Sequence, residues 1–157
     1  MGFEMEAAEQ RNLEAIEQRG WTAQPPRSLV RYVNGECFDL ALALHSFLPS
    51  AEFVALGSAD SPDHVALRLP DGRLVDVRGV TDDIVAFGRG FSNMHINPDS
   101  IVTVGRDVPE FYTGQAGREP PYEGSHEIAD ARKALRKNFP GLQAIRMPRV
   151  DPVGPRM

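Results

Sequence analysis

Residues 64–78 read HVALRLPDGRLVDVR, and how this stretch folds back on itself decides the architecture. His64–Leu69 and Arg73–Val77 alternate apolar and polar side chains, the period of a strand, and Pro70-Asp71-Gly72 between them is a hairpin signal. A loop of those three residues, built as a type I turn followed by a left-handed glycine, makes Leu69 and Arg73 the closing pair. Ala66 then faces Asp76 and His64 faces Arg78. His64, Ala66, Asp76 and Arg78 share one face, and Val65, Leu67, Leu69, Val75 and Val77 cover the other. His64 and Asp76 become diagonal neighbours about 7–8 Å apart, a gap that two side chains can bridge. A two-residue turn at Asp71-Gly72 would instead put them on opposite faces.

Upstream of the hairpin, residues 37–48 (CFDLALALHSFL) are apolar almost all round, with Asp39, His45 and Ser46 the polar exceptions, so they predict a helix buried on most sides. Asn34 or Gly35 is a candidate cap, and Pro49 a stop. Cys37 therefore falls in the first turn of a central helix. Residues 52–56 and 101–104 predict further strands, and Thr81–Phe87 a short helix capped by Thr81 and broken by Gly88-Arg89-Gly90. Residues 3–19 predict an N-terminal helix with few large apolar side chains, which places it on the outside of the domain, and Trp21–Ser28 reads as an extended connector. Residues 125–138 predict a C-terminal helix capped by Ser125, docked through Ile128, Ala131 and Leu135. The expected organisation is one domain over residues 1–140, with its core at 30–106, followed by a Pro-rich basic tail at 141–157. The fold class is α+β, a central buried helix packed on a small antiparallel sheet with peripheral helices.

Composition bounds the function. At 157 residues the chain is long enough for one self-sufficient core. With 17 basic against 22 acidic side chains its net charge is −5, which argues against a nucleic-acid partner. No apolar run reaches the roughly 18–20 residues of a membrane span, and the acidic start does not resemble a secretory signal. There is 1 cysteine, so no internal disulfide and no Cys-rich zinc site exists. These features predict a cytoplasmic protein with no membrane partner and no cofactor; the oligomeric state is left open.

The single thiol is either packing or chemistry. A cysteine is nucleophilic as its thiolate, a form favoured at a helix N-terminus and beside an imidazolium. A carboxylate on the far nitrogen orients such a histidine. Cys37, His64 and Asp76 supply these three parts in order. Each also has a plainer reading: Cys37 as a small core residue, His64 as a backbone-bonded strand residue, and Asp76 as the partner of Arg78 or Arg68 in a cross-strand ion pair.

The strings Gly35–Leu44 (GECFDLALAL) and His64–Val80 (HVALRLPDGRLVDVRGV) resemble small papain-like and transglutaminase-like cysteine proteins, in which a Cys opens the central helix, a His opens a strand and an Asp or Asn sits on the next strand. The resemblance covers about residues 30–82. It implies Cys37 as nucleophile, His64 as base and Asp76 as orienting acid, on an α+β core. The stretch between Cys and His, which includes Ser50–Asp63, is shorter than in well-known members. No Gln precedes the Cys where papain-type proteases carry an oxyanion donor, so the Cys37 backbone N–H and the Asn34 side chain are the candidates. The implied activity is a thiol-dependent hydrolase or acyltransferase acting on an amide, isopeptide or thioester bond of a protein or peptide substrate, as protease, amidase, deamidase or transglutaminase-like enzyme. The alternative is a non-catalytic protein-binding module on the same scaffold, phage-encoded or effector-like.

Other features carry less. Cys37, His45, His64, His95 and His126 show no zinc-motif spacing, so no metal is expected. Gly88-Arg89-Gly90 lacks the Gly-Lys-Ser/Thr of a phosphate loop and reads as a turn. The bases Arg132, Lys133, Arg136 and Lys137, continued by Arg146 and Arg149, read as a solvated face.

Overall fold

Pro70-Asp71-Gly72 makes the loop that its residues dictate. In the computed structural model, which describes residues 2–33, 35–58, 62–89, 98–115 and 126–145, the Leu69 N–H donates to the Arg73 carbonyl at 2.8 Å and the Gly72 N–H to the Leu69 carbonyl at 2.9 Å. Gly72 has φ of 95°, a region glycine enters without the Cβ penalty. Strands β2 (Pro62–Arg68) and β3 (Leu74–Asp76) therefore pair antiparallel with Leu67 opposite Val75 and Arg68 opposite Leu74, the register of the three-residue loop.

Around this hairpin, β1 (Glu52–Gly57) pairs with β2 on one side and with β5 (Ile101–Val104) on its other. A strand with no counterpart in the sequence reading, β4 (Gly79–Thr81), pairs with β3. The five strands form one antiparallel sheet in the order β4-β3-β2-β1-β5. Asp76 pairs with Gly79 across Val77-Arg78, so β3 turns straight back and Arg78 sits in the turn rather than across from His64 as expected. Gly79 has φ of 121°, and a Cβ there would lie 2.6 Å from the Gly20 carbonyl oxygen. Only glycine allows both that backbone and that approach.

Both faces of the sheet are buried. Val65, Leu67, Leu69, Val75 and Val77 join the larger core with the helices, while Val54, Leu56, Ala66, Leu74 and Ile101 pack with Phe87 on the other side. Helix α2 (Cys37–His45) fills the first layer, with Leu40, Ala41, Leu42, Ala43 and Leu44 all buried. Burying a leucine fully stabilises by roughly 1.5–3 kcal/mol, so Leu40 and Leu44 alone anchor this helix strongly. It stops at His45, short of Leu48, because the Ser46 hydroxyl donates to the Ala43 carbonyl at 2.6 Å and the Phe47 N–H tightens onto Leu44.

The N-terminal helix α1 (Gly2–Arg19) departs from its expected peripheral role. Ile16 and Asn12 are fully buried. The Asn12 amide donates to the carbonyls of Phe47 and Gln143, both at 3.0 Å, and accepts from the Gln143 N–H at 2.8 Å. One polar side chain thus ties α1 to the end of the α2 segment and to the chain beyond residue 140. Leu142 is buried as well, so the segment after Pro140 stays docked through Gln143. The connector after α1 is extended only as far as Pro26; Arg27–Tyr32 forms a 3₁₀ helix that buries Leu29 and Tyr32.

Three further α-helices follow in the chain. Helix α3 (Ile84–Gly88) is capped by Asp83, whose carboxylate accepts from the Ala86 N–H at 3.1 Å. Thr81, the expected cap, is taken up as the last residue of β4 and accepts from the Asp83 N–H instead. Helix α4 (Asp107–Gln115) was not anticipated. Helix α5 (His126–Asn138) docks through Ile128, Ala131 and Leu135; its expected cap Ser125 lies outside the described residues. The basic face of α5 is partly committed: Arg132 donates to Ser46 Oγ at 3.1 Å, and the Arg136 guanidinium lies 5.6 Å from the Phe47 ring centre. The chain is a mixed α+β fold, helices packed on an antiparallel sheet. No described helix is long and apolar enough to cross a membrane.

Candidate functional site

The hairpin register and the start of α2 bring Cys37, His64 and Asp76 together. Cys37 opens α2, which packs on β2 and also touches β3. His64 stands in β2 opposite Leu56 of β1, beside the bulge at Leu56/Gly57. Asp76 ends β3 on the same face as His64 and Ala66. All three are buried, with 2% exposure at Cys37 and 1% at His64 and Asp76.

His64 Nε2 and Asp76 Oδ2 are 2.8 Å apart, a buried charge-assisted hydrogen bond. The diagonal gap between the two backbones is thus bridged by the side chains. Cys37 is near enough to the same imidazole to favour its protonated form. Burial by itself would push the His64 pKa down. The Asp76 hydrogen bond, the Cys37 contact and the charges of both outweigh it and raise His64 to about 9. Burial likewise works against the Asp76 carboxylate, but His64 and then Arg78 hold it down at about 2. Asp76 is therefore ionised at neutral pH and the imidazole holds a proton against that carboxylate.

Arg78 belongs to this cluster, although the sequence offered it only as a plain ion-pair partner. Its backbone N–H donates to Asp76 Oδ1 at 2.8 Å, Nε donates to both carboxylate oxygens at 3.1 Å, and Nη2 donates to Oδ2 at 2.6 Å. The Phe87 ring of α3 packs against His64, with ring centres 5.6 Å apart. Asp39, in the first turn of α2, is a further buried acid. The signal for Arg78 is local: two residues past an acid in a β-run, it can fold back onto that carboxylate.

The other candidates fall elsewhere. Asn34, the proposed oxyanion donor, and His95 lie outside the described residues. His45 stacks on Phe53 with ring centres 4.7 Å apart, and burial pushes its pKa down. His126 pairs with Asp130 one turn along α5, at 3.1 Å. Among the described residues no group of three or more His, Cys, Asp or Glu side chains is arranged to hold a metal ion.

A thiol beside an imidazole whose far nitrogen is bound to a carboxylate can move a proton from sulfur to ring and return it to a leaving group. No protein-family model, no curated protein and no solved structure matches the chain.

Proposed function

We propose that the protein is a thiol-dependent hydrolase or acyltransferase that cleaves or exchanges an amide, isopeptide or thioester bond of a protein or peptide substrate in the cytoplasm. The observation that carries this reading is the buried His64 Nε2 to Asp76 Oδ2 hydrogen bond at 2.8 Å, on a ring whose protonated form Cys37 also favours. The resemblance to papain-like and transglutaminase-like proteins supports the same assignment.

In this scheme Cys37 Sγ attacks the carbonyl carbon while His64 holds the one proton that sulfur and ring share. The tetrahedral oxyanion forms near the first turn of α2, where backbone N–H groups lack intrahelical partners. As it collapses, the bond to the leaving amine or thiol breaks and His64 protonates that group. Water or an amine then attacks the acyl-thioester, giving its proton to His64, and the thiol leaves with that proton. Asp76 keeps the imidazole oriented and stays ionised throughout. Hydrolysis, deamidation and transamidation share the intermediate and differ in what attacks it.

The burial of Cys37 favours a second reading, the non-catalytic binding module, in which the thiol is a small core residue. An activated acyl donor separates the two without knowledge of the natural substrate. With p-nitrophenyl acetate, the enzyme reading expects a burst of p-nitrophenolate stoichiometric with protein and an acetyl group on the Cys37 peptide. His64→Ala should lose the burst. Acetylation seen only on unfolding, or equally fast in His64→Ala, selects the binding module.

A further inference from the structure

Asp76 serves two cations, and only one of them belongs to the thiol chemistry. Oδ2 accepts from His64 Nε2 and from Arg78 Nη2, while Oδ1 accepts from the Arg78 backbone and Nε. The Arg78 side chain is 3% exposed. Its guanidinium carbon lies 4.6 Å from the Trp21 ring centre and 5.3 Å from that of Phe87, and Nη2 also donates to the Phe87 carbonyl at 2.9 Å. The backbone is held as firmly: the Thr22 N–H donates to the Arg78 carbonyl at 3.0 Å, and the next residue is the glycine that lets the β3–β4 turn approach Gly20.

A buried arginine is costly unless its donors are used and its plane is covered, and Arg78 meets both conditions. If it were only a staple joining Trp21, the β3–β4 turn and α3, any buried acceptor would serve. Instead it grips the very oxygen that receives the imidazole. A forked guanidinium on a carboxylate fixes the direction of the carboxylate as well as its charge. That direction decides which His64 nitrogen is turned to Asp76 and which is left for the thiol. The cluster Cys37, His64, Asp76 and Arg78 also sums to zero formal charge, whether the shared proton sits on sulfur or on the ring.

Resting on the thiol reading above, we propose that Arg78 is a positioning residue of the site, acting through Asp76 to set the orientation and titration of His64, with Trp21 and Phe87 as the walls that hold it. The groups facing the His64–Asp76 pair are Cys37 from α2, Arg78 from the β3–β4 turn, and the Phe87 ring from α3.

The test follows His64 by imidazole ¹⁵N NMR, and Cys37 by its alkylation rate at pH 7, in the full chain. Arg78→Met removes a cation from the carboxylate that His64 shares, so the His64 midpoint should rise by about half a pH unit or more; with the fork gone the imidazole is no longer held toward the thiol, and alkylation should slow several-fold. Arg78→Lys, which restores the charge without the fork, should bring the midpoint back toward wild type and recover only part of the rate. A merely structural role would lower the melting temperature of both variants while leaving midpoint and rate at wild-type values, and that result overturns the proposal. If Arg78→Met does not fold, the wild-type Arg78 Nε resonance decides: it should shift with the His64 midpoint, and indifference to that titration overturns the proposal. Failure of the thiol reading shows separately, as alkylation unaffected by His64→Ala, because the NMR coupling of Arg78 to His64 does not depend on it.

Discussion

Asp76→Ala is expected to destabilise the protein by about 3–5 kcal/mol, the scale of breaking a buried pair by removing one partner. His64 and Arg78, 1% and 2% exposed, would lose the carboxylate they share, in a region that water does not reach. Asp76→Asn preserves the shape and one acceptor oxygen but not the charge, and should cost less. Urea titration with the slope held in view measures both. The Arg68–Glu52 pair is an internal control: at 29% and 49% side-chain exposure, it should contribute 0–1 kcal/mol. A loss below about 1 kcal/mol for Asp76→Ala would mean that the buried cluster is not bound as described.

The second large effect is on pH dependence. Folding raises His64 from 6.5 to about 9. A group whose pKa is raised on folding contributes stability that is complete below its unfolded value and lost as the pH climbs through the folded one. The His64 contribution should therefore be complete below pH 6.5 and vanish as pH passes about 9, a change on the order of 3 kcal/mol. Asp76 runs the other way: lowered from 3.8 to about 2, it contributes fully above 3.8 and loses that contribution as pH falls through about 2. Urea midpoints collected from pH 5 to 10 for wild type and His64→Gln should diverge at the acidic end of that range and converge at the basic end. A constant difference across the range contradicts the shift.

The parts of this arrangement visible in the sequence are those that local chemistry determines. Pro70-Asp71-Gly72 specifies its own loop, the loop sets the β2–β3 register, and the register places His64 and Asp76 on one face. The all-round apolar run after Cys37 could only be a buried helix. Strand β4 was hidden because Val77-Arg78, the turn that leads into it, holds neither glycine nor asparagine, and because its three residues are too few to show a period. Helix α4 was hidden by Pro109 and Gly114, residues of poor helix propensity, although proline is tolerated in a first turn. The burial of α1 rests on Asn12, whose partners Phe47 and Gln143 are distant in the chain. Arg78 was visible as a charge, but its setting between Trp21 and Phe87 is built by three separate segments.

The central claim is that His64 makes Cys37 a nucleophile in the folded protein. It is tested most directly by iodoacetamide alkylation of Cys37 at pH 6–7 under native conditions, followed by mass spectrometry in wild type and His64→Ala. The account predicts that the wild-type thiol is alkylated without unfolding and at least tenfold faster than in the variant. A thiol that reacts only once the protein unfolds, or as fast without His64 as with it, would contradict it.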